Sequence, residues 1–244
     1  MRLSKAWLIA SKDFMIFWKK PTILYSLVIF ELLVSLGFPF LVKYITGKQS
    51  DPTVVGSLIN AFSIWFAMGA AILPVGIAAY SLVGEKVQRS LEPLLAAPVT
   101  DGEILVGKGI AALLPAMVAT YVGAVPFMVL VDVFVHGTFH RLFYPNWNIG
   151  VILLLLAPLV SLFSVSINVL ISSRSSDVRV AQQLGSAIPT IPLFAIYLLS
   201  EIRVMTLTVT NLLLFAVALA VLDVLTIYAA SWTFQRDEIL TAWK

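Results

Sequence analysis

Three sets of residues in this chain have the types and spacing to do chemistry. Gly102-Glu-Ile-Leu-Val-Gly107-Lys108-Gly109 nearly matches the phosphate-cradling loop GxxxxGK[ST]. There, backbone N–H groups hold phosphate oxygens and a final hydroxyl holds magnesium. Here Gly109 stands in place of the hydroxyl, no strand pattern precedes the stretch, and an apolar run follows it. Those departures argue against nucleotide binding by this chain. Asp132, His136 and His140 are spaced by four and could present metal ligands on one helical face. However, no fourth ligand is evident and Gly137 weakens the helix. Phe134, Phe139, Phe143, Tyr144 and Trp147 surround the set, so membrane–water boundary residues, with no metal, are the simpler expectation. Glu31 and Asp223 are acidic residues inside apolar runs that hold no Lys or Arg. Each costs about 2.5–3.5 kcal/mol to insert. Each therefore marks either a transport pathway or a carboxyl hydrogen-bonding across helices, with Asn60 or Asn168 as candidate partners. No Ser/His, paired-Asp or HExxH arrangement suggests an enzyme.

The elements that position these residues are membrane spans. Of 244 residues, 60% are hydrophobic and 12% charged, with a mean hydropathy of +0.98, whereas soluble domains are about 25% charged. Apolar runs cover residues 23–42, 58–83, 110–131, 149–172, 184–200 and 212–230, each near the length needed to cross a hydrocarbon core of about 30 Å. The expected fold is an all-α integral membrane protein, with one domain over 1–244 and six spans. Pro74, Pro115, Pro126, Pro158, Pro189 and Pro192 interrupt those runs. Pro189 and Pro192, together in the shortest run, are the best candidates for a break in a span. Ahead of the spans, Leu3, Trp7, Ala10, Phe14 and Phe17 share one helical face and Lys5, Lys12 and Lys19 another, which predicts an interfacial amphipathic helix. Ala6–Ile9 is too short an apolar core for a cleavable signal. The absence of Cys excludes disulfides and thiolate metal sites.

Charge sets the orientation. Lys43, Lys48, Arg141 and Arg203 fall on one side of the membrane, and the other twelve of the sixteen basic residues fall on the opposite side. That bias predicts cytoplasmic termini. The net charge of +3 reflects this placement beside spans rather than nucleic-acid binding.

The same bias puts the polar island Gly84–Lys108, between the second and third spans, in the cytosol. Ser90 is a plausible N-cap, with Leu91, Glu92 and Pro93 as the first turn. Leu91, Leu94 and Leu95 share one face and Pro98 stops the helix. Thr100-x-x-Glu103 is a capping-box pattern that starts the third span, with Lys108 as an interfacial anchor. An apolar face on so short a segment needs the membrane or a partner to cover it.

The island resembles the segment between the second and third spans of ABC-2-type permeases, the membrane subunits of ATP-binding-cassette exporters. The matching residues are Glu85, Ser90-Leu91-Glu92, Leu94-Leu95, Pro98, Glu103 and Gly107-Lys108, with Arg89-Ser90 where the family has Gly-Thr. The resemblance implies that Glu85, Arg89, Leu91, Glu92, Leu94 and Leu95 dock on a separate nucleotide-binding ATPase. It also implies that ATP and magnesium sit on that partner, and that the pathway forms with a second copy or a homologous permease in the plasma membrane. The rival expectation is a proton-coupled secondary transporter using Glu31 and Asp223; its usual sign, an inverted repeat, is not evident.

Overall fold

An apolar chain in lipid can satisfy its backbone only within each segment, so runs of this kind become helices. The computed structural model describes residues 2–19, 21–48, 51–87, 99–174, 177–202 and 206–233, and among these it is helical with no strand. A helix over Leu3–Trp18 comes first. Among the described residues, six helices are long and apolar enough to cross a membrane: Val28–Thr46, Pro52–Ser81, Asp101–Phe139, Trp147–Ser172, Val178–Ser200 and Val209–Trp232. They are spans 1 to 6 below.

The complete helices of spans 2 and 3, Pro52–Val87 and Asp101–Phe139, have 36 and 39 residues. At 1.5 Å per residue they are about 54 and 58 Å long, against a hydrocarbon core of about 30 Å. Both must project into water. The end of the bundle that carries Val87 and Thr100 is called the island end, and the other the far end.

Prolines shape the spans in two ways. Spans 1 and 4 each contain a widened π turn, Leu33–Gly37 and Ile152–Leu156. Each lies just before a proline, Pro39 and Pro158. A proline ring clashes with the carbonyl four residues back, here Ser35 and Leu154, and a π turn is one way to make room. Pro189 and Pro192 differ from expectation. The helix of span 5 runs from Val178 to Glu201 through both, so the break expected there is not seen. The span is also longer than the apolar run 184–200, because Asp177 caps it upstream by accepting the Arg179 N–H.

Burial ranks the spans. In the most apolar stretch of span 2, 83% is buried, against 17% in span 5 and 22% in span 6, so span 2 is the axis of the bundle. It packs mainly on spans 3, 4 and 5. Phe66 and Phe127 meet edge to face at 5.1 Å in the core, with Ile59, Ile152 and Leu156 fully buried nearby. The peripheral spans keep Leu, Ile and Val exposed in a single chain, as lipid or another apolar surface requires.

The far end is closed by the loop after span 3. His140 ends that helix in the left-handed region, at φ 52°. Asp132 Oδ1 then accepts the N–H groups of Phe143 at 2.8 Å and Tyr144 at 2.9 Å. That turn drives the Tyr144 ring against Phe127 and puts its hydroxyl 2.6 Å from Ser63 Oγ on span 2. Burial pushes the Tyr144 phenol above its ordinary range; the Ser63 hydrogen bond opposes this and the Asp132 carboxylate adds to it. Tyr144 is a neutral plug between spans 2 and 3. Tyr144→Phe should cost about 1 kcal/mol and Tyr144→Ala about 3–5 kcal/mol, read as thermal melting of the purified protein. Equal small losses would contradict the plug.

Candidate functional site

The island end is built from the first turns of span 3. Thr100 Oγ1 accepts the Glu103 N–H at 3.3 Å and the Thr100 N–H donates to Glu103 Oε2 at 3.0 Å, forming the expected capping box. Residues Gly102–Gly109, which resemble a phosphate loop in sequence, are the opening turns of this helix. The other Glu103 oxygen accepts the Arg2 N–H at 2.6 Å, tying the N-terminal helix to the cap. One turn on, a Cβ at Gly107 would lie 2.7 Å from the Ala6 carbonyl oxygen. Only glycine lets the two helices come this close.

Lys108 corrects a sequence expectation. Rather than anchoring at the interface, it is only 3% exposed. Its Nζ donates to the carbonyl and hydroxyl oxygens of Ser81 at 2.8 and 2.9 Å, and lies 3.7 Å from Asp13 Oδ2. The Ser81 hydroxyl donates to the same Asp13 oxygen at 2.7 Å. Asp13 and Ser81 are equally buried. One residue each from the N-terminal helix, span 2 and span 3 thus closes a polar clamp inside an apolar surround of Ala10, Phe17, Ile77 and Ala112.

The clamp seats one side of the N-terminal helix on the bundle. Ala6, Ile9, Ala10, Asp13 and Phe17 face protein, while Leu3 and Trp7, which spacing put on one apolar face with Ala10, Phe14 and Phe17, are exposed. Sequence periodicity missed this because the docking face is small and carries a carboxylate. The only early signal was the Gly107-Lys108 pair itself.

Of the expected docking residues, Glu85 falls in the last turn of the span 2 helix. Arg89, Leu91, Glu92, Leu94 and Leu95 lie outside the described residues. The clamp joins the helices on either side of them.

The intramembrane polar residues do not form one group. Glu31 lies where spans 1, 2 and 3 meet. Its Oε1 accepts from Thr120 Oγ1 at 3.1 Å. Cβ atoms at Gly69 and Gly123 would fall 3.0 Å and 2.5 Å from its two oxygens, so both glycines make its notch. Oε2 is buried with no hydrogen-bond partner among the described residues. The Ser35 hydroxyl donates to the Glu31 carbonyl within the π turn. Asp223 on span 6 is buried with neither oxygen partnered among those residues.

Neither candidate asparagine partners these acids. Asn168 donates to the Ala181 carbonyl at 3.1 Å, linking spans 4 and 5, and accepts from Ser172. Asn60 sits at the far end and accepts from Asn146 at 3.4 Å. Asp132 is engaged with backbone N–H groups, and the described residues hold no cluster of three His, Asp or Glu suited to a metal.

The clamp ties three helices together through hydrogen bonds and one ion contact. Lys108→Met leaves Asp13 buried beside one hydroxyl, and should lower stability by about 3–5 kcal/mol. Adding Asp13→Asn should recover much of that loss in a double-mutant cycle of melting temperatures. Strictly additive losses would mean the two groups do not act together.

No protein-family model matches this chain, and no curated protein matches it in sequence.

Proposed function

We propose that this chain is the membrane subunit of an ATP-driven exporter of the ABC-2 permease type, moved by a separate nucleotide-binding ATPase. The observation that carries the proposal is the Asp13–Ser81–Lys108 clamp. It joins the two long helices that bear the island to the N-terminal helix. A push on Leu91, Leu94 and Leu95 would then reach three helices as one body. ATP and magnesium stay on the partner. The chain contributes differential contacts in two states rather than a catalytic group. The exposed apolar faces of spans 1, 5 and 6 suit lipid and a second copy, or a homologous permease, across a shared pathway. Positive-inside bias supports a cytoplasmic island end and cytoplasmic termini, and a plasma membrane is the proposed location.

A secondary reading, proton-coupled transport, draws support from the unpartnered buried oxygens of Glu31 and Asp223. Two experiments separate the readings. Charged substitutions at Leu91, Leu94 and Leu95 should abolish co-purification with an ABC-type ATPase while the protein still inserts; retained binding refutes the docking assignment. Transport by Glu31→Gln and Asp223→Asn should persist on ATP if the first reading holds. Its loss in both, together with collapse on dissipating the proton gradient, favours the second.

A further inference from the structure

At the far end, two recesses of about 500 and 470 Å³ meet at Asn60. Polar groups of the first include Ser57 and Asn60 from span 2, Ser200 from span 5, and Thr206 before span 6. None of the described residues that line it is charged. The second holds Asn60, Arg141, Asn146 and Trp147. Among the described residues, Arg141 is its one charge and no acidic side chain lines either recess. Much of the lining is fixed from behind. Asn146 Oδ1 accepts the Ile149 N–H at 2.9 Å while its amide donates to Asn60. Asn148 donates to the Leu207 carbonyl at 2.9 Å, holding the two lobes together. The Asn60 amide N–H groups and the Arg141 guanidinium have no partner among the described residues.

We infer that this paired recess binds a polyol phosphate, with the phosphate on Arg141 and the hydroxyls in the lobe of Ser57, Asn60, Ser200 and Thr206. A guanidinium fork matches phosphate oxygens in geometry and charge. A lobe of hydroxyls and one amide, without charge, matches neutral hydroxyl groups. No carboxylate lines the recesses among the described residues, which disfavours a cation. Trp147 is 81% exposed and Leu142 66% exposed, beside the far ends of spans 3 and 4. At span ends a tryptophan ring favours headgroup level, so the phosphate can arrive on a lipid such as phosphatidylglycerol or as a soluble glycerol phosphate. The site makes no use of the island or of an ATPase, so it stands or falls separately from the exporter reading.

The full chain in phosphatidylcholine nanodiscs tests it, with Trp147 emission isolated by difference against Trp147→Phe. Saturable change on adding phosphatidylglycerol or glycerol 3-phosphate is expected. Response to the lipid alone identifies a headgroup site, and response to both at similar concentration a soluble ligand. Arg141→Gln should weaken binding about tenfold, as loss of a charge-assisted contact implies, and Asn60→Ala about threefold, with unchanged melting temperatures. Phosphatidylserine, equal in charge but lacking the polyol, should bind several-fold more weakly. No saturable response, wild-type binding by Arg141→Gln, or equal binding of phosphatidylserine would overturn the assignment.

Discussion

A buried lysine needs a partner, and in this chain that requirement organises one end of the bundle. Lys108, Ser81 and Asp13 come from three separate helices and share a single set of short contacts. Removing any one leaves the others desolvated and under-bonded, which costs far more than an exposed ion pair contributes. The network is therefore all-or-none. It fixes the N-terminal helix against spans 2 and 3 at the island end. Glycine at 107 and the capping box at Thr100 complete the seat. Helices held this way shift together or not at all.

The rest of the bundle is graded from rigid to loose. Span 2 is enclosed by spans 3, 4 and 5, and Tyr144 plugs it to span 3 at the far end. Glu31, set between Gly69 and Gly123, fixes the approach of spans 1, 2 and 3 near the middle. Around this axis, spans 5 and 6 expose most of their length. The π turns before Pro39 and Pro158 add local points where a span can change its twist. A stiff axis joined to looser outer helices suits a molecule whose work is relative motion of helices.

Much of the architecture was legible in sequence, because hydropathy reports directly on the need to satisfy backbone in lipid. The six spans and the start of span 3 at Thr100 could be read from runs and a cap. Lys108 could not. A basic residue near a span end reads as a snorkelling anchor unless the residue that neutralises it is known, and Asp13 is 95 positions away in sequence. Helical spacing likewise gave no sign that Asp13 packs on the bundle, since burial of a carboxylate becomes favourable only with its tertiary partner. Pro189 and Pro192 suggested a break that the surrounding helix absorbs, while Pro39, which does accompany a distortion, drew no notice. Asn60 and Asn168 turned out to bond elsewhere because pairing depends on depth along the bundle, which spacing alone does not give. The leucine segment of the island, Leu91–Leu95, lies outside the described residues, and its reading rests on sequence.

The central claim is that force entering at the island passes through the clamp into the spans. The direct measurement is nucleotide-dependent transport by this chain with the proposed ATPase partner in vesicles, with the charges at positions 13 and 108 exchanged. The account predicts that Asp13→Lys and Lys108→Asp each leave ATP hydrolysis running but uncoupled from transport. It also predicts that the two together restore coupling. Full coupling in either single variant would contradict it.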